Sequence, residues 1–351
     1  MLRPTVNLGL SVHLAYTPIF AKSLSFRCYA TVSPSIINNI GRPPHPPGAT
    51  PAKEPRAISQ LDRSLLASLS PSQVSLFDLI QQYIGRSGRI LDASLVYESR
   101  PGRARRIDCF AGKNGMDAGI VLIAHCIEDE SNDEHKVAVS SGFVLEVPAL
   151  DGKESLVVSC AHTLEEIRRS PVALKQQVPS QVRSGTFAIT GDGQFHPIHS
   201  ISSALPRSDI LLLTCDKLPV RTLPISPYPA HAQTPVWAHL IAYEKPSEPA
   251  DWSPWVGGTW RRWARGEVKG YRDFAGRESQ PGTYDALSHM LFAPLPTPGS
   301  SGGPIVDEES GAVIGISLGT RMDNRIEGMR GWGVPSECIF EMFSLPGLEK
   351  K

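Results

Sequence analysis

Between residues 119 and 336 the sequence breaks into short apolar runs, each closed by Gly, Pro, Asp or Ser. GIVLIAHCI, HKVAVSSGFVLEV, ESLVVSCAH, SGTFAIT, DILLLTC, VWAHLIAY, GAVIGISLG and GWGVPS all read as strands. No helical period alternates with them, so a parallel α/β sheet is excluded. Many short strands separated by turns predict an all-β barrel or sandwich. A short helix is expected over about 336–343, after the last strand.

Upstream of the strands the chain changes character. Residues 1–29 carry Arg3, Lys22 and Arg27 and no acid, and the first acidic residue of the chain is Glu54. Cationic charge interleaved with hydroxyl and apolar residues suits a mitochondrial presequence. The run Arg27-Cys28-Tyr29-Ala30 resembles a processing site of fungal mitochondrial precursors, cleaved after the tyrosine. The alternative is a secretory signal centred on LGLSVHLAYTPIFA, which His13, Tyr16 and Pro18 weaken. Residues 30–60 form a proline-rich linker, because proline blocks helix and sheet alike. Residues 61–117 are expected to be an extension with a helix near 71–84, capped by Ser70 with Pro71 at its first position. Val74, Phe77, Ile80 and Ile84 would share its buried face.

Lys plus Arg and Asp plus Glu number 35 each, so the net charge is zero. No overall field argues for nucleic acid. The cysteines, Cys28, Cys109, Cys126, Cys160, Cys215 and Cys338, include no C-x-x-C pair and read as free thiols. Trp252, Trp255, Trp260 and Trp263 cluster with Arg261, Arg262 and Arg265. Such a loop could touch membrane headgroups or a partner; the expected reading is a segment folded onto the barrel with Arg stacked on Trp. His196 and His199 in FHPIH lack further ligands at usual spacing, and no metal or cofactor is expected.

The stretch PTPGSSGGPIVD (296–307) is too bare of side chains to pack and too flexible for a helix interior. A glycine turn of this kind lets two N–H groups converge on one point, as an oxyanion requires. Those groups would be the amides of Gly299 and Ser301, with Ser301 as the nucleophile. His162 follows an apolar strand, and Asp209 precedes one that is almost free of polar residues. A carboxylate there can satisfy itself on Nδ1–H of the histidine and fix its tautomer.

These segments resemble the catalytic segments of the trypsin/chymotrypsin superfamily of serine peptidases, in the order His162, Asp209, Ser301. In style they are closest to HtrA-type members, over roughly 118–345. SSGFVLEV, GEVKGYRD, GAVIGISLG and GWGVPSECI are similar to strands of that branch. The resemblance implies two six-stranded antiparallel β-barrels with the site between them, a peptide or protein substrate, and a serine endopeptidase. It implies His162 as general base, Asp209 as its orienting acid, Ser301 as nucleophile, and Gly299 and Ser301 as oxyanion donors. Ser317 and Gly319 would pair with extended substrate, and Leu295 would lie at the base of the specificity pocket. Leu295 is not acidic, so a small or medium apolar residue is expected before the scissile bond.

Departures qualify the resemblance. Ser300 stands where digestive members have an aspartate that binds a new N-terminus. The cysteines that staple secreted members around the histidine are missing. A C-terminal PDZ domain is not expected after Leu345. Whether the oxyanion turn is formed at rest stays open at this stage. So does the rival reading, a trypsin-fold scaffold without turnover; a nonpeptide esterase is the third.

Overall fold

The computed structural model describes residues 59–107, 109, 119–149, 152–174 and 182–345. The expected presequence and nearly all of the proline-rich linker lie outside them.

Alternating burial closes the first barrel. Its strands are β1 (Ile120–Asp129), β2 (Glu134–Leu145), β3 (Glu154–Cys160), β4 (Val182–Ile189), β5 (Phe195–Leu205) and β6 (Ile210–Asp216). They run in the order β1-β2-β3-β6-β5-β4, and β1 pairs with β4 to close the ring. Odd-numbered residues of β1, among them Val121, Ile123 and Ile127, fill the interior with Val157, Leu211 and Leu213.

The second barrel uses β7 (Pro235–Ala242), β8 (Trp260–Arg272), β9 (His289–Ala293), β10 (Pro304–Asp307), β11 (Val313–Asn324) and β12 (Gly328–Pro335). Its order is β7-β8-β9-β12-β11-β10, closed by the pairing of β10 with β7. That is the strand order of the first barrel repeated, although no repeat is visible in the sequence. Val236, Leu240, Val268, Tyr271, Met290, Phe292 and Ile305 form its interior. The two six-stranded antiparallel barrels are those the sequence implies, and the short C-terminal helix spans Glu337–Phe340.

The helical extension differs in detail from the sequence reading. Helix α1 (Gln60–Ala67), capped by Ser59, starts where a linker was expected. Helix α2 (Leu76–Gly85) is capped by Ser75, not Ser70, and Ser75 Oγ accepts from Asp78 N and donates to its carboxylate. Two Ser-containing caps five residues apart competed, and the later one aligns Leu76, Leu79, Ile80 and Tyr83 with the barrel. Ile84 is left 49 % exposed. Strands β5, β9 and β10 carry weak signals in the sequence: β5 and β10 have an internal or leading proline, and β9 is only five residues long. The expected histidine pair lies on β5, where His199 Nε2 meets Asp216 Oδ1 at 3.2 Å.

The tryptophan-rich segment is barrel wall. Trp260 opens β8 and Trp263 lies within it, all four indoles are half-buried, and arginines stack on two of them. Arg262 lies 4.8 Å from the Trp252 ring centre and Arg261 5.4 Å from that of Trp255. Among the described residues, Cys126, Cys160, Cys215 and Cys338 are buried free thiols.

Two histidines are sealed in the interior, His125 and His239. Burial pushes the pKa of each down to about 3. The unfolded chain would protonate both near 6.5, so below that value it binds more protons than the folded chain and stability falls with acid. Each contributes a slope of about 1.4 kcal/mol per pH unit. Calorimetry is expected to show the midpoint dropping between pH 7 and pH 5; a flat midpoint would reject the assignment.

Candidate active site

Pairing of β3 with β6 sets Cys160 opposite Ile210, which brings the residues just beyond their ends together. His162 opens a short helix, His162–Arg168, and Asp209 closes a 3-10 turn, Pro206–Ser208. Asp209 has φ of 56°, a left-handed conformation that costs a non-glycine residue about 1–2 kcal/mol. The conformation aims the carboxylate back at the histidine. Oδ2 meets His162 Nδ1 at 2.6 Å, while Oδ1 accepts from the amides of His162 (2.7 Å) and Ala161 (3.0 Å). With Nδ1–H committed to the carboxylate, Nε2 faces the cleft as a proton acceptor.

The Cys160 sulfur lies 3.7 Å from His162 Nε2. Burial opposes charge on the imidazole, the Cys160 sulfur and the Asp209 carboxylate favour it, and the balance holds its pKa above the ordinary histidine value. The base works only when neutral. The rising limb of kcat/KM against pH is therefore expected above 6.5, and Cys160→Ala is expected to move it to lower pH. An unmoved limb in that variant would show that the sulfur has no influence.

Ser301 arrives from the second barrel, in the turn before β10. Pro298 and Gly299 occupy the centre of a turn closed by Ser300 N to Thr297 O at 3.0 Å. Gly299 has φ of +89°, which with proline before it defines a type II turn. Flipping the 298–299 peptide would require a negative φ there. Ser141 on β2 fixes the turn from the other barrel: its amide donates to Ser301 O at 2.7 Å and its hydroxyl to Gly299 O at 3.1 Å. Gly302 comes so close to β2 and β3 that a Cβ would lie 2.2 Å from Ser141 O and 2.9 Å from Cys160 N. The serine turn thus abuts β3, the strand that leads into His162.

Around the turn, the amides of Ser300, Gly302 and Gly303 donate to Thr297, Ser317 and Ser300 carbonyls. Those of Gly299 and Ser301 donate to no acceptor among the described residues. With the carbonyls of both residues held by Ser141, these N–H groups are the two left over for an incoming oxyanion. Ser301 Oγ itself donates to Leu318 O at 2.9 Å, not to His162.

The expected substrate-binding residues divide. Ser317 is fully buried, with its amide spent on Gly303 O and its carbonyl on Gly302 N. The β11–β12 register shifts between Ser317 and Gly319, and the carbonyl in between, that of Leu318, is the one that accepts from Ser301 Oγ. Gly319 borders open space, and Leu295 is 48 % exposed. Cys160, Ser141, Thr297 and Leu318 were not singled out by sequence reading. Only Thr297, inside the glycine-rich run, carried any signal.

A family model described as a trypsin-like peptidase domain matches residues 140–316. No curated protein matches the chain. Among solved structures, the active form of the Rv3671c protease from M. tuberculosis is 16 % identical, over 72 % of this chain and 92 % of that one, with a TM-score of 0.41. Deg5 is also 16 % identical, over 62 % and 84 %, with a TM-score of 0.37. The MamO protease domain from Magnetospirillum magneticum is 14 % identical, over 62 % and 93 %, with a TM-score of 0.35. The matched family segment contains His162, Asp209 and Ser301 and takes in strands of both barrels; the chain belongs to the family of trypsin-like serine peptidases.

Proposed function

We propose that the chain is a serine endopeptidase using His162, Asp209 and Ser301, and that it acts in mitochondria in protein processing or quality control. The observation that carries the chemistry is the pair of unspent amides at Gly299 and Ser301, beside a histidine fixed by a carboxylate. Substrate would lie extended along Leu318 and Gly319, pairing backbone to backbone. Ser301 Oγ attacks the scissile carbonyl carbon as its proton passes to His162 Nε2. The carbonyl oxygen becomes an oxyanion received by the two amides. His162 returns the proton to the leaving amine, and water then repeats the sequence on the acyl-enzyme. The residue before the scissile bond would be small or medium and apolar, since Leu295 offers no charge. The mitochondrial setting rests on the acid-free, arginine-bearing composition of residues 1–29.

One observation favours a second reading, a protein that keeps the fold without turnover: the Ser301 hydroxyl rests on Leu318 O. Turnover requires that hydroxyl to rotate toward His162. A fluorophosphonate probe separates the readings. It is expected to label Ser301 in the wild type and nothing in Ser301→Ala; no labelling of well-folded wild type would favour the silent scaffold. Fractionation of cells expressing the full chain, with N-terminal sequencing of the mature form, tests the compartment.

A further inference from the structure

Thr297 and Ser300 lie beside the reacting groups but touch none of them. Both side chains turn away from the cleft toward one residue of β7, Ile241. Ser300 Oγ accepts from Ile241 N at 3.0 Å, and Thr297 Oγ1 donates to Ile241 O at 2.5 Å. The two hydroxyls are 2.8 Å apart. Each hydroxyl has one proton, so the assignment is forced. The Ile241 amide gives to Ser300, Ser300 gives to Thr297, and Thr297 gives to the Ile241 carbonyl. The ring is closed, and every proton in it is used.

The position of this ring gives it meaning. Strand β10 pairs with β7 through Ile305↔Ala238, Val306↔Trp237 and Asp307↔Val236, and that pairing stops short of Ile241. The hydroxyls of 297 and 300 take up the Ile241 backbone groups beyond the end of this ladder. They therefore pin both ends of the Thr297–Ser300 turn to the second barrel, while Ser141 holds the Gly299 carbonyl within it and the Ser301 carbonyl after it to the first. Ile241 is itself immobilised: it is fully buried under Leu61 and Leu65 of α1, with Leu122 and Val256. Tyr243, two residues on, lies beneath Gly299 and donates to Val139 O at 3.1 Å.

We infer that the Thr297–Ser300–Ile241 hydroxyl ring is a positioning device that keeps the oxyanion donors of Gly299 and Ser301 assembled before substrate arrives. Thr297 and Ser300 are its positioning residues. The inference rests on the serine-peptidase reading of the site. A free 298–299 peptide could rotate and turn a carbonyl into the space meant for the oxyanion; the ring opposes that rotation by fixing the residues on either side.

The test uses the full chain and a fluorogenic peptide that the wild type cleaves. Thr297→Val keeps the shape of the side chain and breaks the ring, as does Ser300→Ala. Each is expected to lower kcat about 10- to 100-fold, short of or reaching the loss on deleting one oxyanion donor, with KM changed less than about threefold. Affinity for a peptide boronate should fall in parallel with kcat, while binding of the uncleaved peptide to a Ser301→Ala background should not change. Thr297→Ser restores the hydroxyl and is expected to restore kcat. Should Thr297→Val fail to fold, Ser300→Ala decides alone, since it removes one oxygen and adds no volume. Wild-type kcat and boronate affinity in Ser300→Ala would overturn the inference while leaving the peptidase reading intact. A wild type that neither cleaves peptides nor labels with fluorophosphonate would reject that reading and the device together.

Discussion

Replacing His162 by alanine is expected to lower peptide hydrolysis by roughly four to six orders of magnitude, with little effect on stability. The magnitude follows from how the site is built. Without the imidazole nothing removes the Ser301 proton, and the hydroxyl has a ready alternative partner in Leu318 O. What remains is the oxyanion pocket and substrate binding, which by themselves still give some acceleration over water. Asp209→Asn is expected to be nearly as severe, about 10⁴-fold, because an amide would present a donor to Nδ1 and favour the wrong tautomer. Both are read from single-turnover rates on the same peptide, with circular dichroism to confirm folding. A His162→Ala rate within tenfold of wild type would remove His162 from the mechanism.

Gly302→Ala is expected to be the most damaging single-atom-scale change to the fold around the site. At φ of +84° any Cβ is strained, and here it would sit 2.2 Å from a backbone oxygen of the opposing barrel. Left-handed strain costs about 1–2 kcal/mol and overpacking about 1–3 kcal/mol, so a loss of about 2–5 kcal/mol is expected. The atoms that must yield are Ser141 O, Ser159 Oγ and Cys160 N, all on strands next to the histidine. Activity should therefore fall along with the denaturation midpoint. An unchanged urea midpoint would mean that the barrels are not apposed as described.

Much of this site was legible because its chemistry depends on residue type in chain order. His162 and Asp209 sit at the ends of strands whose apolar runs mark them, and Ser301 sits in a turn that only glycines can make. The free thiols were legible from spacing. The cap of α2 was not, because Ser70 and Ser75 are locally equivalent and only the barrel surface chooses between them. Ser317 is buried with both of its backbone groups spent, and no sequence pattern encodes the register shift between 317 and 319 beside it. Thr297 and Ser300 act through a residue more than fifty positions away, on β7. A hydroxyl in a glycine-rich loop says nothing about which strand it will reach.

Helix α1 has a consequence for what can reach the nucleophile. Its leucines, Leu61, Leu65 and Leu66, with Leu69 just beyond its end, are buried in one cluster with Leu122, Ala124 and Phe187 of one barrel, Ile241 of the other, and Val256 in the turn before β8. Prising the barrels apart would wet that whole seam, at about 25 cal/mol for each Å² exposed. The seam thus resists opening of the cleft like a jaw, and a substrate is expected to reach the nucleophile as an extended strand, so that a folded domain would first have to yield a loose stretch of its own chain.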